Sequence, residues 1–142
     1  MNITKIAILG FLILEATNVV ALYFFPGGKM ANAVGVFNAW EKSKSDPEIH
    51  MFIRYLVNWV AGTKLIFIML LIVILYTADD QALRITSAAL VISIASFFWR
   101  LFPLIRKMDR NDQVDPKNYS TALGWMITAI MFVFIAAASI SF

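Results

Sequence analysis

Four apolar stretches, at about 3–25, 52–78, 83–105 and 121–142, take up most of this 142-residue chain. Each has the roughly 20 residues needed to cross about 30 Å of hydrocarbon as an α-helix. Lipid admits only helices or closed barrels, because every backbone polar group must be satisfied internally, and these runs lack the alternation of barrel strands. The expected fold is an all-α integral membrane protein, a four-transmembrane-helix bundle forming one domain over 1–142. Composition points the same way: 61% hydrophobic and 15% charged residues, with a mean hydropathy of +0.77, lie far from soluble averages.

The first stretch has Lys5 ahead of an apolar core, as a signal peptide would. It also carries Glu15 and Asn18 within that core and ends in Phe24-Phe25-Pro26-Gly27-Gly28 rather than at a small-residue cleavage site. It is therefore read as the first span. Counting basic residues by side gives Lys29, Lys42, Lys44, Arg54, Arg106, Lys107, Arg110 and Lys117 on the side of loops 1 and 3, against Lys5 and Arg84 opposite. Eight against two predicts that loops 1 and 3 are cytoplasmic, that both termini lie outside, and that the host is a cytoplasmic (inner) membrane. The net charge of +3, spread over loops, is a topology signal and not a nucleic-acid footprint.

Loop 1 carries Met30, Ala33, Val34, Phe37 and Trp40 at helical spacing, which predicts a short amphipathic helix. It can lie in the membrane interface or tuck against the end of the bundle. Asp46, Pro47 and Glu48 give the next helix a clear start, with an N-cap, a proline at the first position and an acidic first turn. Asp79 and Asp80 are placed to cap the third span, and Pro103 is placed to bend its last turns. Ser120 is a candidate cap for the fourth span, which ends without a polar tail at the membrane surface or against a partner.

With no cysteine in the chain, disulfides, thiol catalysis, iron–sulfur clusters and cysteine-ligated zinc are excluded within it. One histidine, His50, supplies too few ligands for a di-iron centre or a bis-histidine haem in a monomer, so neither metal nor cofactor is expected. A solvated side chain at the mouth of the second helix is the plain reading of His50.

Three charges fall inside apolar spans. Glu15, Lys64 and Arg100 must find partners, water or a ligand, because an isolated charge in hydrocarbon is costly. Glu15 shares a helical stripe with Phe11, Asn18 and Leu22, and can serve as a proton-linked group or pair structurally with Lys64 or Arg100. Lys64 sits mid-span, too deep for simple snorkelling. Arg100, beside Trp99 and near Arg106, fits an interfacial anchor or a gate. Further stripes are Tyr55, Asn58, Trp59 and Gly62 on the second span, and Thr86, Ala89, Ser93, Ser96 and Arg100 on the third. Small and hydroxylated faces of this kind suit close helix packing as well as a polar lining.

A glutamate midway along the first of four short helices resembles the small multidrug resistance transporters, antiparallel dimers that exchange protons for cationic drugs. Glu15 and, more loosely, Trp59 carry that resemblance. The long first loop, the two intramembrane cations and the charge bias depart from it. The arginine, asparagine and glutamate motif of the four-helix glutathione-using membrane enzymes is not found over 37–58. No family is assigned.

The functional expectation is binding or transport of a small amphipathic or anionic compound through a polar intramembrane site. The residues expected to carry it are Glu15, Asn18, Asn58, Trp59, Lys64, Ser93, Ser96 and Arg100. A homo-oligomer is expected because four helices enclose little space alone. The alternative is a non-catalytic accessory or assembly subunit of a membrane complex. A lipid-directed enzyme is the weaker alternative, since no nucleophile–base pair is recognisable.

Overall fold

A computed structural model describes residues 3–140; the last two residues of the fourth predicted span lie outside that range. Among the described residues the chain is helical throughout, with helices α1 (Ile3–Phe24), α2 (Asn38–Ser43), α3 (Pro47–Thr77), α4 (Asp80–Ala95), α5 (Phe97–Arg110) and α6 (Tyr119–Ile140). Four helical segments, α1, α3, α4 with α5, and α6, are long and apolar enough to cross a membrane. Only 11–28% of their most apolar windows is buried within the protein. The rest is an outward apolar surface that water would not tolerate and a bilayer would cover.

The helices are held by narrow seams. Along α1 the buried positions are Thr4, Ile8, Leu12, Asn18, Val19 and Leu22, and along α3 they are Val57, Ala61, Ile68 and Leu71. Spacings of three, four and seven residues, with Asn18 and Val19 side by side, keep each set close to one helical face. α3 packs along α1, α1 meets α6 and α4, and α6 meets α4 and α5. Ile8, Leu12, Ile68, Leu71, Leu83, Leu90 and Phe134 form the main core, with Phe11 set edge-on to both Phe67 and Phe134.

The predicted helix starts are present. The Asp46 carboxylate accepts from the Glu48 and Ile49 amides at 3.1 and 3.2 Å, and Asp79 accepts from the Ala82 amide at 2.8 Å. At α6 the cap is supplied differently. Asp109, at the end of α5, accepts from the Asn118 and Ser120 amides and from the Ser120 hydroxyl. A two-oxygen carboxylate satisfies more free donors than the Ser120 hydroxyl could, so Ser120 donates where a cap would accept.

Two local features depart from the expected pattern. The third span is interrupted at Ser96, seven residues before Pro103. There the hydroxyl donates to the Ser93 carbonyl at 2.6 Å, a back-bond that competes with the helix ladder. Loop 1 is not one amphipathic helix over 30–40. Left-handed backbone at Ala31 and Asn32 breaks it, leaving a 3-10 turn at Val34–Val36 and the short α2, with Met30 exposed.

Loop 1 folds back on itself and on loop 3. Trp40 is buried and stacks on His50, whose Nδ1 lies 2.8 Å from the Ser43 hydroxyl. His50 is thereby engaged rather than freely solvated. Phe37 and Val114 form an antiparallel bridge, Asn38 and Asp115 amides donate to the Gln113 and Val36 carbonyls, and Lys29 pairs with Asp115. Within loop 3, the hydrogen bond and charge of Asp112, 2.9 Å from Lys117, raise the lysine pKa above its ordinary value.

Gly35 is required where loop 1 crosses itself. A Cβ at this position would stand 2.0 Å from the Gly27 carbonyl oxygen and 2.4 Å from that of Gly28. Backbone cannot yield as a side chain can, so Gly35→Ala should cost at least about 2 kcal/mol. A fall of several degrees in Tm of the detergent-purified protein is the expected reading, and an unchanged Tm would contradict this packing.

Candidate functional site

Glu15 and Lys64 occupy seam positions of α1 and α3. Glu15 fits the spacing between Leu12 and Asn18, and Lys64 that between Ala61 and Ile68. The α1–α3 contact therefore brings them together: Lys64 Nζ lies 2.7 Å from Glu15 Oε2, with the side chains only 28% and 20% exposed. Lys64 also donates to Asn18 Oδ1 at 2.7 Å. The Asn18 amide nitrogen donates in turn to the Ala31 and Asn32 carbonyls. Its amide orientation is fixed by these partners, since only the oxygen can accept from an ammonium and only the nitrogen can donate to carbonyls.

The left-handed turn at Ala31 and Asn32 aims successive carbonyls at Asn18. The Asn32 side chain accepts from the Tyr119 hydroxyl at the start of α6. One polar chain thus runs Glu15, Lys64, Asn18, loop 1, Tyr119, and joins three long helices through the loop.

This chain forms the polar end of a cavity of about 560 Å³. The space arises because α1 lies against α4 but draws away from α5 beyond the break at Ser96. Its apolar walls come from Phe11, Ile94, Phe97, Leu123, Ile127 and Ile130. Leu14, Leu101 and Met126 belong both to the lining and to the exposed outer face, so the cavity opens sideways between helices. Lys29 and Asn32 close it on the loop side.

Of the residues expected from sequence, Glu15, Asn18, Lys64, Ser93 and Ser96 line this cavity. Three do not reach it. Asn58 and Trp59 are exposed on the outer face of α3, where Trp59 packs against Tyr55. Arg100 is exposed, with its guanidinium 5.3 Å from the Trp99 ring centroid. Tyr119, Lys29 and Asn32 belong to the site without having been singled out. Helix parity was the available signal, since it puts loop 1 and the start of α6 at one end of the bundle.

The electrostatics of the cavity are balanced. Lys64 faces Glu15 and Lys29 faces Asp115, which leaves no excess charge at the polar end. The ammonium of Lys64 has three protons and spends two on Glu15 and Asn18, while Glu15 Oε1 makes no bond among the described residues. A spare donor and a spare acceptor therefore stand side by side. Among the described residues no group of three His, Cys, Asp or Glu side chains could hold a metal ion. No family model, curated protein or solved structure matches this chain.

Removing one member of the pair leaves the other charge half-buried without its partner. Glu15→Gln and Lys64→Met should each cost about 2 kcal/mol, less than a fully buried pair because both side chains retain some exposure. That corresponds to a Tm lower by roughly 5–8 °C in detergent. The double variant should recover more than half of the summed loss, whereas strictly additive losses would show that the two charges do not support one another.

Proposed function

We propose that this chain is an integral membrane protein that binds, and by lateral exchange moves, a small amphipathic molecule held in the cavity between α1, α5 and α6. The observation that carries the proposal is the neutral, donor-plus-acceptor polar end of an otherwise apolar cavity that opens sideways. An apolar chain would lie along Phe11, Phe97 and Ile130, and a head group would meet Lys64, Glu15 and Tyr119. Few polar groups in an apolar concavity are the usual form of a small-molecule site.

The balanced charge narrows the ligand class. Two unpaired cations would favour an anion, but the internal pairing of Lys64 and Lys29 leaves a site suited to a hydroxylated or zwitterionic head. Glu15, the single carboxylate in the first span, supplies the free acceptor at the polar end. Arg100, on the outer surface, acts in this reading as an anchor at the headgroup level. The cavity is built by one copy of the chain, so binding does not require the homo-oligomer expected from sequence.

The ligand class can be tested in amphipol with amphiphiles of one chain length. Decylphosphocholine and decanol should raise Tm by on the order of 5 °C at saturation, more than decanoate or decyltrimethylammonium. Ala122→Trp, which fills the cavity from α6, should abolish the shift. Equal shifts in the filled variant would place binding elsewhere.

The internal pairing also favours a second reading, a non-catalytic assembly subunit whose charges serve folding. It predicts that the neutral double variant of Glu15 and Lys64 keeps its stability and shows no amphiphile-dependent shift in wild type either.

Loops 1 and 3, interlocked at one end, gather eight basic residues there, and we place that end in the cytoplasm with both termini outside. The chain has no cysteine, so single-cysteine variants report cleanly. In intact cells an impermeant maleimide should label Gln81→Cys, and should label Ser45→Cys only after permeabilisation; the reverse pattern would invert the topology.

A further inference from the structure

A second groove lies on the adjacent face of α5, about 250 Å³ in volume, between α5 and the first turns of α6. Its lining on α5 is Phe98, Phe102 and Arg106, spaced four residues apart, and Arg110 continues the same stripe one turn further. The stripe is sorted along the helix axis. Aromatic rings, with Phe98 and Phe102 centroids 5.4 Å apart, occupy the deeper part, and two guanidinium groups stand at the loop end. Gly124 forms the floor on α6, where a Cβ would lie 2.8 Å from Phe102, and the exposed Trp125 forms a wall.

Among the described residues the basic end has no carboxylate partner. Pairs such as Lys29–Asp115, Glu41–Lys44, Glu15–Lys64 and Asp112–Lys117 form among them, and none of the ion pairs involves Arg106 or Arg110. Asp109, the carboxylate nearest in sequence to Arg106 and Arg110, is spent on Asn118 and Ser120. Arg106 packs only over the Phe102 ring, at 6.0 Å.

We propose that this groove is a binding site for an anionic phospholipid, with the phosphate at Arg106 and Arg110 and one acyl chain laid over Phe102 and Gly124. Charge complementarity selects the lipid. A zwitterionic phospholipid brings its own cation into an already basic site, whereas an anionic one supplies the missing partner. The chain order of the stripe, apolar then basic, matches the order of tail and head in a bilayer. An arginine fork also suits phosphate geometry better than an ammonium does.

The test is retention of phosphatidylglycerol by the full-length protein, measured by native mass spectrometry from mixed micelles containing equal phosphatidylcholine. Wild type should keep one phosphatidylglycerol in preference to phosphatidylcholine. In Arg106→Gln/Arg110→Gln its apparent affinity should fall roughly 30-fold, about fivefold for each arginine. Lys42→Gln/Lys107→Gln removes the same charge away from the groove and should leave retention unchanged. Equal losses in both double variants would reduce the effect to general surface charge and overturn the site. Displacement of the lipid by millimolar glycerol phosphate would also overturn it, because the acyl chain would then contribute nothing. Gly124→Leu, which fills the floor, should weaken retention while the arginines remain; unaltered retention there would contradict the placement of the chain.

Discussion

The ion pair between Glu15 and Lys64 is the interaction on which the arrangement of this protein depends. In a low-dielectric setting either charge alone is expensive, and the two are tolerable only in contact. Because each replaces an apolar residue in a packing seam, their contact fixes the register of α1 on α3. A shift of one turn along either helix would strand both charges against aliphatic side chains. Packing of Leu12, Ile68 and Leu71 permits several neighbouring registers, but the pair permits one. Asn18 extends this constraint to loop 1, so the position of the loop follows from the helix register as well as from its own turns.

Loop geometry then determines the cavity. Loop 1 is tied to α1 through Asn18, to α6 through Tyr119 and to loop 3 through Lys29 and the Phe37–Val114 bridge. α1 packs on α4 and, beyond the break at Ser96, not along α5, and residues 29–32 border the resulting space on the loop side. A cavity floor made of the ion pair and a roof made of a loop held by Asn18, which also accepts from Lys64, are mechanically connected. Any group that competes for the Lys64 ammonium competes also with Asn18, the residue that holds the roof.

Much of this was legible in the sequence, and the failures have specific causes. Span length and hydropathy located all four segments, and Asp46-Pro47-Glu48 and Asp79 announced their helix starts, because capping depends on residues within one turn. Seam positions were less visible. The stripe Tyr55, Asn58, Trp59 and Gly62 drew attention by its polarity, yet Tyr55, Asn58 and Trp59 face outward and only Gly62 comes near α1, beside Tyr23. The stripe that matters, Val57, Ala61, Lys64, Ile68 and Leu71, is apolar but for one residue. In a membrane-exposed helix, polarity does not reveal the buried face, since the outward face is apolar as well; small size and periodicity around a lone charge are the better guides. The break at Ser96 was hidden by Pro103, the stronger helix-breaking signal nearby. The lock between loops 1 and 3 involves residues about 80 apart in sequence, and only helix parity places them at the same end.

The distribution of charge separates the two candidate sites by chemistry. The largely buried Lys64 is matched with Glu15 and the exposed Lys29 with Asp115, and the cavity that both lysines border is neutral. Basic residues on the outer turns of α5 have no carboxylate partner among the described residues. Burial explains why Lys64 needs its carboxylate. An internal cation without a counter-charge destabilises the fold, so the chain must carry its own partner, whereas a surface cation can take its partner from water or from lipid. An acid placed beside Arg106 and Arg110 would satisfy them within the chain and remove any preference for a negative head group. The Asp109 carboxylate lies next to Arg110 in sequence but is turned to the first turn of α6. The end of α5 consequently keeps its positive charge unmatched by this carboxylate, which instead holds the start of α6 in place.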